Sequence, residues 1–361
     1  MKIFPDIQHV KHIGRTASFP DLLLLSLSGS GIEFEYTGKG FDLTLIGGEA
    51  SKVPDNEANY ARVGIYINNT RTQDILVNAE RIRLRIGEST ESQTITVRII
   101  KLSECAMSLV GIAPLEVANT DTIRPTSPAK LKIEFIGDSI TCGYGVDDED
   151  PLHPFKTATE DVTRAYAYKT AKALHADYSM FSISGYGIIS GYTADPAVRM
   201  DHQLIPTFYH SLGLSYDTLA GIPTPMDIAW DFGVFQPDLV VINLGTNDDS
   251  FCQEDPERQQ EYQDRYRDFL MTVRKKNPKS IIICVLGLMG QRLYPRIEAA
   301  VADYKERTGD TKIHTVLLPE QDPEVGYVSD YHPLESAHEK AAGVLIPKLL
   351  ELDASAGRNF L

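Results

Sequence analysis

Between about residues 22 and 117 the chain reads as strands, with apolar and polar side chains alternating in several runs. Ile32, Phe34 and Tyr36 alternate with Glu33 and Glu35. Ile82, Leu84 and Ile86 alternate with Arg81, Arg83 and Arg85, and Ile95, Val97 and Ile99 with Thr94, Thr96 and Arg98. A period of two places one face of a strand in a core and the other in water, as in antiparallel sheets. Turn residues separate the runs: Gly29-Ser30-Gly31, Gly38-Lys39-Gly40, Gly47-Gly48 and Asn68-Asn69. Short strands at this spacing predict an N-terminal β-sandwich over residues 1–118, jelly-roll-like in arrangement. Residues 119–130 are polar, carry two prolines, and are expected to form a linker.

From residue 131 the pattern changes. Apolar runs at 131–136, 178–183, 239–243, 281–285 and 313–317 alternate with helical stretches at 164–176, 256–276, 292–307 and 335–351. Pro256 suits the first turn of its helix. Strand–helix alternation predicts an α/β domain over residues 131–361, a parallel sheet with flanking helices. Residues 192–237 form a long irregular insertion, too rich in aromatic side chains to be a good candidate for disorder.

Composition narrows the function classes. A chain of 361 residues is long enough for two domains. Its net charge of −15 argues against nucleic acid and anionic membranes, which select clustered Lys and Arg. No apolar run approaches a membrane span, and the first residues lack the apolar core of a secretory signal, so a cytoplasmic location is expected, with secretion left open. Cys105, Cys142, Cys252 and Cys284 lack metal-type spacing and are expected to be unpaired, with Cys105 and Cys284 in the core. No metal or organic cofactor is expected: H-E-x-x-H is missing, and the acidic run 147–150 lacks calcium-loop spacing and reads as a solvated rim.

The chemistry gathers around LKIEFIGDSITCGYGV, residues 131–146. A buried strand breaks at Gly137-Asp138-Ser139, the place where open α/β sheets present reactive groups. Ser139 is the candidate nucleophile. A serine esterase also needs a base, a group that orients the base, and donors for the oxyanion. His332 is the candidate base, in a loop whose next residue, Pro333, keeps it out of helical geometry. Asp330 is placed to orient the imidazole. His338, six residues on, reads as packing or support. Oxyanion donors are expected from the Ser139 N–H, the Gly187 N–H and Asn247, with Gly185 as the alternative glycine. Trp230, the only tryptophan, lies near Phe232 and Phe235 and is either a wall for substrate or the core of the insertion.

This pattern resembles the SGNH (GDSL-type) hydrolase superfamily. Its namesake serine, glycine, asparagine and histidine would be Ser139, Gly187, Asn247 and His332. The full layout, together with WDFGVFQPDLVVINLGTND (residues 230–248) and DYHPLESAHEKAA (residues 330–342), is similar to carbohydrate esterase family two. What the resemblance implies is an acetylxylan esterase-like enzyme that removes acetyl groups from plant cell-wall carbohydrate, xylan or its oligosaccharides, without a cofactor. Two departures bear on this. The superfamily's aspartate normally stands three residues before the histidine, where this chain has Ser329; the esterase family shares the shorter Asp330 spacing, which leaves a backbone carbonyl as the alternative partner. Tyr331 occupies a position where the family often has tryptophan, and with Trp230 it is a candidate for substrate binding. A lipase or thioesterase of the same superfamily and a non-catalytic carbohydrate-binding protein are the competing functions. A homo-oligomer stays open.

Overall fold

The computed structural model describes residues 1–355; residues 356–361 of the expected α/β domain lie outside the described residues. The chain forms two compact units, neither continuous in sequence. One comprises Met1–Pro128, Phe155–Val162 and Ser211–Trp230, the other Ala129–Pro154, Thr163–His210 and Asp231–Leu361.

The first unit contains two antiparallel sheets, consistent with a β-sandwich. One runs Lys2–Ile3, Leu115–Glu116, Phe41–Gly47, Val110–Ile112, Leu22–Leu25, Thr16–Phe19, with Arg81–Ile86 also paired to Phe41–Gly47. The other runs Thr122–Pro125, Gly31–Gly38, Gln93–Lys101, Ala61–Ile67, Thr70–Val77, with Lys11–Ile13 on Gly31–Gly38. The alternation seen in the sequence becomes register here: Ile32 faces Ile99, Phe34 faces Val97 and Tyr36 faces Ile95. These side chains share one core with Leu23, Leu25, Leu43 and Leu45 of the opposite sheet. Leu22–Leu25 breaks the alternation because both its faces are covered. Leu22 and Leu24 pack instead with Leu109 and with Leu212 and Leu219 from the returning segment Ser211–Trp230. The stretch expected as a linker supplies a strand, Thr122–Pro125, on the edge of the second sheet. Its proline is tolerated there because an edge strand has an N–H with no partner to lose. Asp121, just before it, accepts a 2.7 Å bond from the Tyr36 hydroxyl.

The second unit is built on five parallel strands in the order Asp177–Ser182, Lys132–Gly137, Leu239–Asn243, Ile281–Leu288, Ile313–Glu320. Two helix pairs flank the sheet, Tyr166–Ala173 with Glu335–Ser355 and Pro256–Lys276 with Tyr294–Thr308. The helix Pro256–Lys276 starts where its residues dictate: Asp255 accepts from the Glu257 and Arg258 N–H groups and Pro256 occupies the first turn. The first strand in sequence is flanked in space by the second and the third. The chain therefore reverses direction between the first and third strands, and the crevice beyond their carboxyl ends is where such sheets bind ligands. Register places Gly137, Ser182 and Asn243 side by side at that edge, so three loops leave the sheet at one level.

All four cysteines are buried and in no disulfide, and burial pushes the thiols of Cys105, Cys252 and Cys284 up to about 12. Among the described residues, no helix is long and apolar enough to cross a membrane.

Candidate active site

The strand Lys132–Gly137 ends where it must. A Cβ at Gly137 would come within 2.8 Å of Thr141 Cβ, so no side chain fits between the strand and the turn that follows. Asp138 caps the short helix Ser139–Cys142 by accepting from the Ile140 N–H at 3.0 Å. Ser139 is thereby fixed at the first helical position, 5% exposed.

His332 reaches the serine from the far end of the chain. Its Nε2 lies 2.9 Å from Ser139 Oγ, and its Nδ1 lies 3.1 Å from the Asp330 main-chain carbonyl. A carbonyl only accepts, so Nδ1 carries the proton and Nε2 is left to take the one on the serine. The Asp330 carboxylate, expected to face the imidazole, accepts instead from the Tyr144 hydroxyl at 2.7 Å. The reason is backbone geometry. Asp330 (φ 50°, ψ 38°) and Tyr331 (φ 57°) are consecutive left-handed residues, which turns the Asp330 carbonyl onto His332 and its side chain away. Such conformations cost about 1–3 kcal/mol each in non-glycine residues and persist only where neighbours enforce them.

The neighbours are the loop after the nucleophile. The Ser329 N–H donates to the Asp148 carbonyl at 2.9 Å, and the Asp330 N–H and Ser329 Oγ both donate to the His153 carbonyl. The acidic run expected as a rim thus ties down the histidine loop through its main chain. Of its side chains, Asp147 pairs with the Arg164 guanidinium and Asp148 lies within hydrogen-bond distance of His153 Nδ1 at 3.1 Å. The Tyr144 ring stacks on the imidazole at 3.9 Å between centroids, with 21° between the planes. Sequence reasoning misses Tyr144; its one signal is a tyrosine between two glycines just past the serine.

The oxyanion side is arranged differently from expectation. Gly187 is buried and its N–H donates to the Gln203 carbonyl at 3.1 Å, so that donor is committed inside the loop. A Cβ at Gly187 would lie 2.6 Å from Asp248 Oδ2. Gly185, two residues upstream, is half-buried, left-handed at φ 80°, and has open space where a Cβ would be. Asn247, 6% exposed, donates from Nδ2 to the Tyr186 carbonyl at 2.9 Å and, more weakly, to Asp138 Oδ2 at 3.3 Å. Asp248 gathers the Ile188, Ile189 and Ser190 N–H groups on one carboxylate. Burial raises the Asp138 and Asp248 carboxyls, and the Asp248 charge raises Asp138 further. Burial pushes His332 down to about 4, outweighing the Asp330 carbonyl and charge.

The remaining sequence candidates have the following surroundings. Trp230 belongs to the first unit, half-buried against its second apolar cluster with the Arg15 guanidinium 5.4 Å from its ring. Phe232 is buried against Tyr209. His338 is buried and accepts the Tyr166 N–H at 3.2 Å. Tyr331 is 55% exposed beside His332, its ring 5.9 Å from that of Tyr327.

The chain is similar to known proteins along most of its length. Cellulase/esterase CelE of Acetivibrio thermocellus is 27% identical over 318 residues, 87% of this chain but 37% of that protein. An acetylxylan esterase / glucomannan deacetylase of Cellvibrio japonicus is 26% identical over 354 residues, 95% of this chain and 89% of that one. The structure of a family two carbohydrate esterase from Clostridium thermocellum in complex with cellohexaose superposes with a TM-score of 0.80 at 26% identity, covering 98% of this chain and 100% of that one. Residues 135–340, which run from the first parallel strand through Ser139, Asn247 and His332, match the GDSL-like Lipase/Acylhydrolase family, and the chain belongs to it.

Proposed function

We propose that the protein is a serine esterase that removes O-acetyl groups from carbohydrate, acetylated xylan or its oligosaccharides, through an acyl-enzyme intermediate. The observation that carries this reading is the 2.9 Å contact between Ser139 Oγ and His332 Nε2 at the sheet's switch point, in a chain whose relatives along most of its length include an acetylxylan esterase / glucomannan deacetylase.

In this reading His332 takes the Ser139 proton as Oγ attacks the acetyl carbonyl. The imidazolium is steadied by the Asp330 carbonyl at Nδ1–H. The oxyanion is met by the N–H groups of Ser139 and Gly185 and by Asn247, which exchanges its long bond to Asp138 for the developing charge. Gly185 takes the place expected of Gly187, whose N–H is spent on Gln203. His332 then gives its proton to the departing sugar oxygen. Water, deprotonated by the same imidazole, releases acetate and returns the proton to Ser139 Oγ. Tyr331 offers an exposed ring for the sugar; Trp230, engaged by Arg15 in the first unit, is assigned to packing.

The test is acetate release from acetylated xylo-oligosaccharides, run beside 4-nitrophenyl acetate and a long-chain 4-nitrophenyl ester. Turnover of the oligosaccharide and the acetyl ester is expected. Turnover of the long-chain ester alone would replace the sugar substrate with a lipid-like one.

The same site sets a pH dependence. The base works only when neutral, and burial disfavours the charged imidazole. The acidic limb of kcat/KM is therefore expected near pH 4, not at the ordinary histidine value of 6.5. Below it, activity falls about tenfold per pH unit. The sign for stability is the same: the unfolded chain binds a proton at His332 that the folded chain refuses, so stability falls as pH drops from 6.5 towards 4. A limb at 6.5 would show that the imidazole is not shielded.

A further inference from the structure

Tyr144 touches the histidine loop at two points. Its hydroxyl donates to the Asp330 carboxylate at 2.7 Å, and its ring lies flat on His332 at 3.9 Å. Its own main chain is fixed to the nucleophile, because the Tyr144 N–H donates to the Ser139 carbonyl at 3.2 Å. One side chain therefore links the serine turn to both the plane of the imidazole and the residue whose carbonyl receives Nδ1–H.

That residue needs holding. Asp330 and Tyr331 are both left-handed, a pair of conformations that side chains with a Cβ resist. Released, the loop would relax towards ordinary φ values and swing the Asp330 carbonyl off the imidazole. The main-chain ties from Asp148 and His153 fix residues 329 and 330 at their N–H groups, and the bonds from the His332 N–H to the Ser329 carbonyl and from the Val328 N–H to the His332 carbonyl close the turn around the left-handed pair. To these main-chain ties the Asp330 carboxylate adds a side-chain handle, and Tyr144 is what grips it.

Resting on the serine-esterase reading above, we propose that Tyr144 is a positioning residue: it clamps the Asp330 carboxylate so that the Asp330 main-chain carbonyl stays on His332 Nδ1, while its ring sets the plane of the imidazole. Asp330 then serves the reaction through its carbonyl, and its carboxylate serves Tyr144.

The titratable groups around His332 are Tyr144, Asp330 and, from the helix Glu335–Ser355, His338. Of these, only Tyr144 and Asp330 are changed in the test. Tyr144→Phe keeps the stacked ring and removes the hydroxyl. Asp330→Ala removes the handle and keeps the carbonyl; Asp330→Asn keeps an acceptor for the hydroxyl; Asp330→Gly removes the handle and also the left-handed strain. On 4-nitrophenyl acetate, Tyr144→Phe and Asp330→Ala are each expected to lower kcat about three- to tenfold, the range a single hydrogen bond supports, with KM little changed. The double variant is expected to be no worse than either single one. Asp330→Asn is expected to lose less than Asp330→Ala, and Asp330→Gly to keep the fold even if the alanine variant does not. A second readout needs no turnover: in protein labelled with 15N-histidine, the His332 Nδ1–H is expected to exchange with water faster in Tyr144→Phe and Asp330→Ala, as the carbonyl that receives it swings away. An Asp330→Asn variant as impaired as Asp330→Ala, beside an unaltered Tyr144→Phe, would overturn the clamp and return the carboxylate to the imidazole. An inactive parent protein whose His332 Nδ1–H exchange still quickens in these variants would overturn the esterase reading and leave the clamp standing.

Discussion

Replacing Ser139 by alanine is expected to lower kcat/KM on acetyl esters by about a millionfold, to the level that the oxyanion donors alone supply. Ser139 Oγ is held 2.9 Å from the base, at the edge where three loops leave the sheet at one level. The substitution removes one oxygen. The turn itself is held by Gly137, the Asp138 cap and the main chain of Ser139–Cys142, none of which the hydroxyl supports. A thermal melt close to that of the parent is therefore expected beside the lost activity, and that pair of measurements is the check. A variant that turns over at the parent rate would remove the serine from the chemistry.

His332→Ala is expected to cost nearly as much, with the loss in kcat. Without the imidazole, Ser139 Oγ–H has no base, and the departing sugar oxygen has no acid. Because the two side chains act as a unit, the Ser139→Ala/His332→Ala double variant is expected to be no slower than the worse single one. The acidic limb of the pH profile is expected to vanish with the imidazole. Single-turnover kinetics across pH check both points; additive losses would mean that the two residues act in separate steps.

The parts of this site that could be read from the sequence are those carried by a local pattern. Gly137-Asp138-Ser139 follows an apolar run, and His332 precedes a proline; each statement concerns neighbours along the chain, and the sheet brings the two together. The alternation at residues 32–36, 82–86 and 95–99 likewise became strand register; Leu22–Leu25 does not alternate, because its second face is covered by residues nearly two hundred positions away. What stayed hidden depends on where a main-chain group points. Gly185 and Gly187 are indistinguishable as letters; one has its N–H spent on Gln203, and that is Gly187, while Gly185 is left-handed and open. Asp330 as a letter suggests a carboxylate partner for histidine, but two consecutive positive φ values exchange its side chain for its carbonyl. Tyr144 left only the signal of a tyrosine between two glycines, since its hydroxyl's acceptor lies 186 positions along the chain. The polar stretch at 119–130 looked like a linker because an edge strand needs few apolar residues.

The sandwich unit is stitched from three separate passes of the chain, and this constrains how the protein can be cut or inherited. A truncated chain that begins near residue 129 would carry the segment Ser211–Trp230 without the sheet it covers. Leu212 and Leu219 would then lose Leu22, Leu24 and Leu109 and face water as a bare apolar strip. Such a fragment should aggregate on expression, however complete its serine, histidine and asparagine. Conversely, the N-terminal strands alone would expose the outer faces of Leu22 and Leu24. The sandwich is therefore not a detachable accessory that evolution or an engineer could exchange as a block: recombination at a single junction after Pro128 would leave two passes of chain behind, and a viable swap must carry all three.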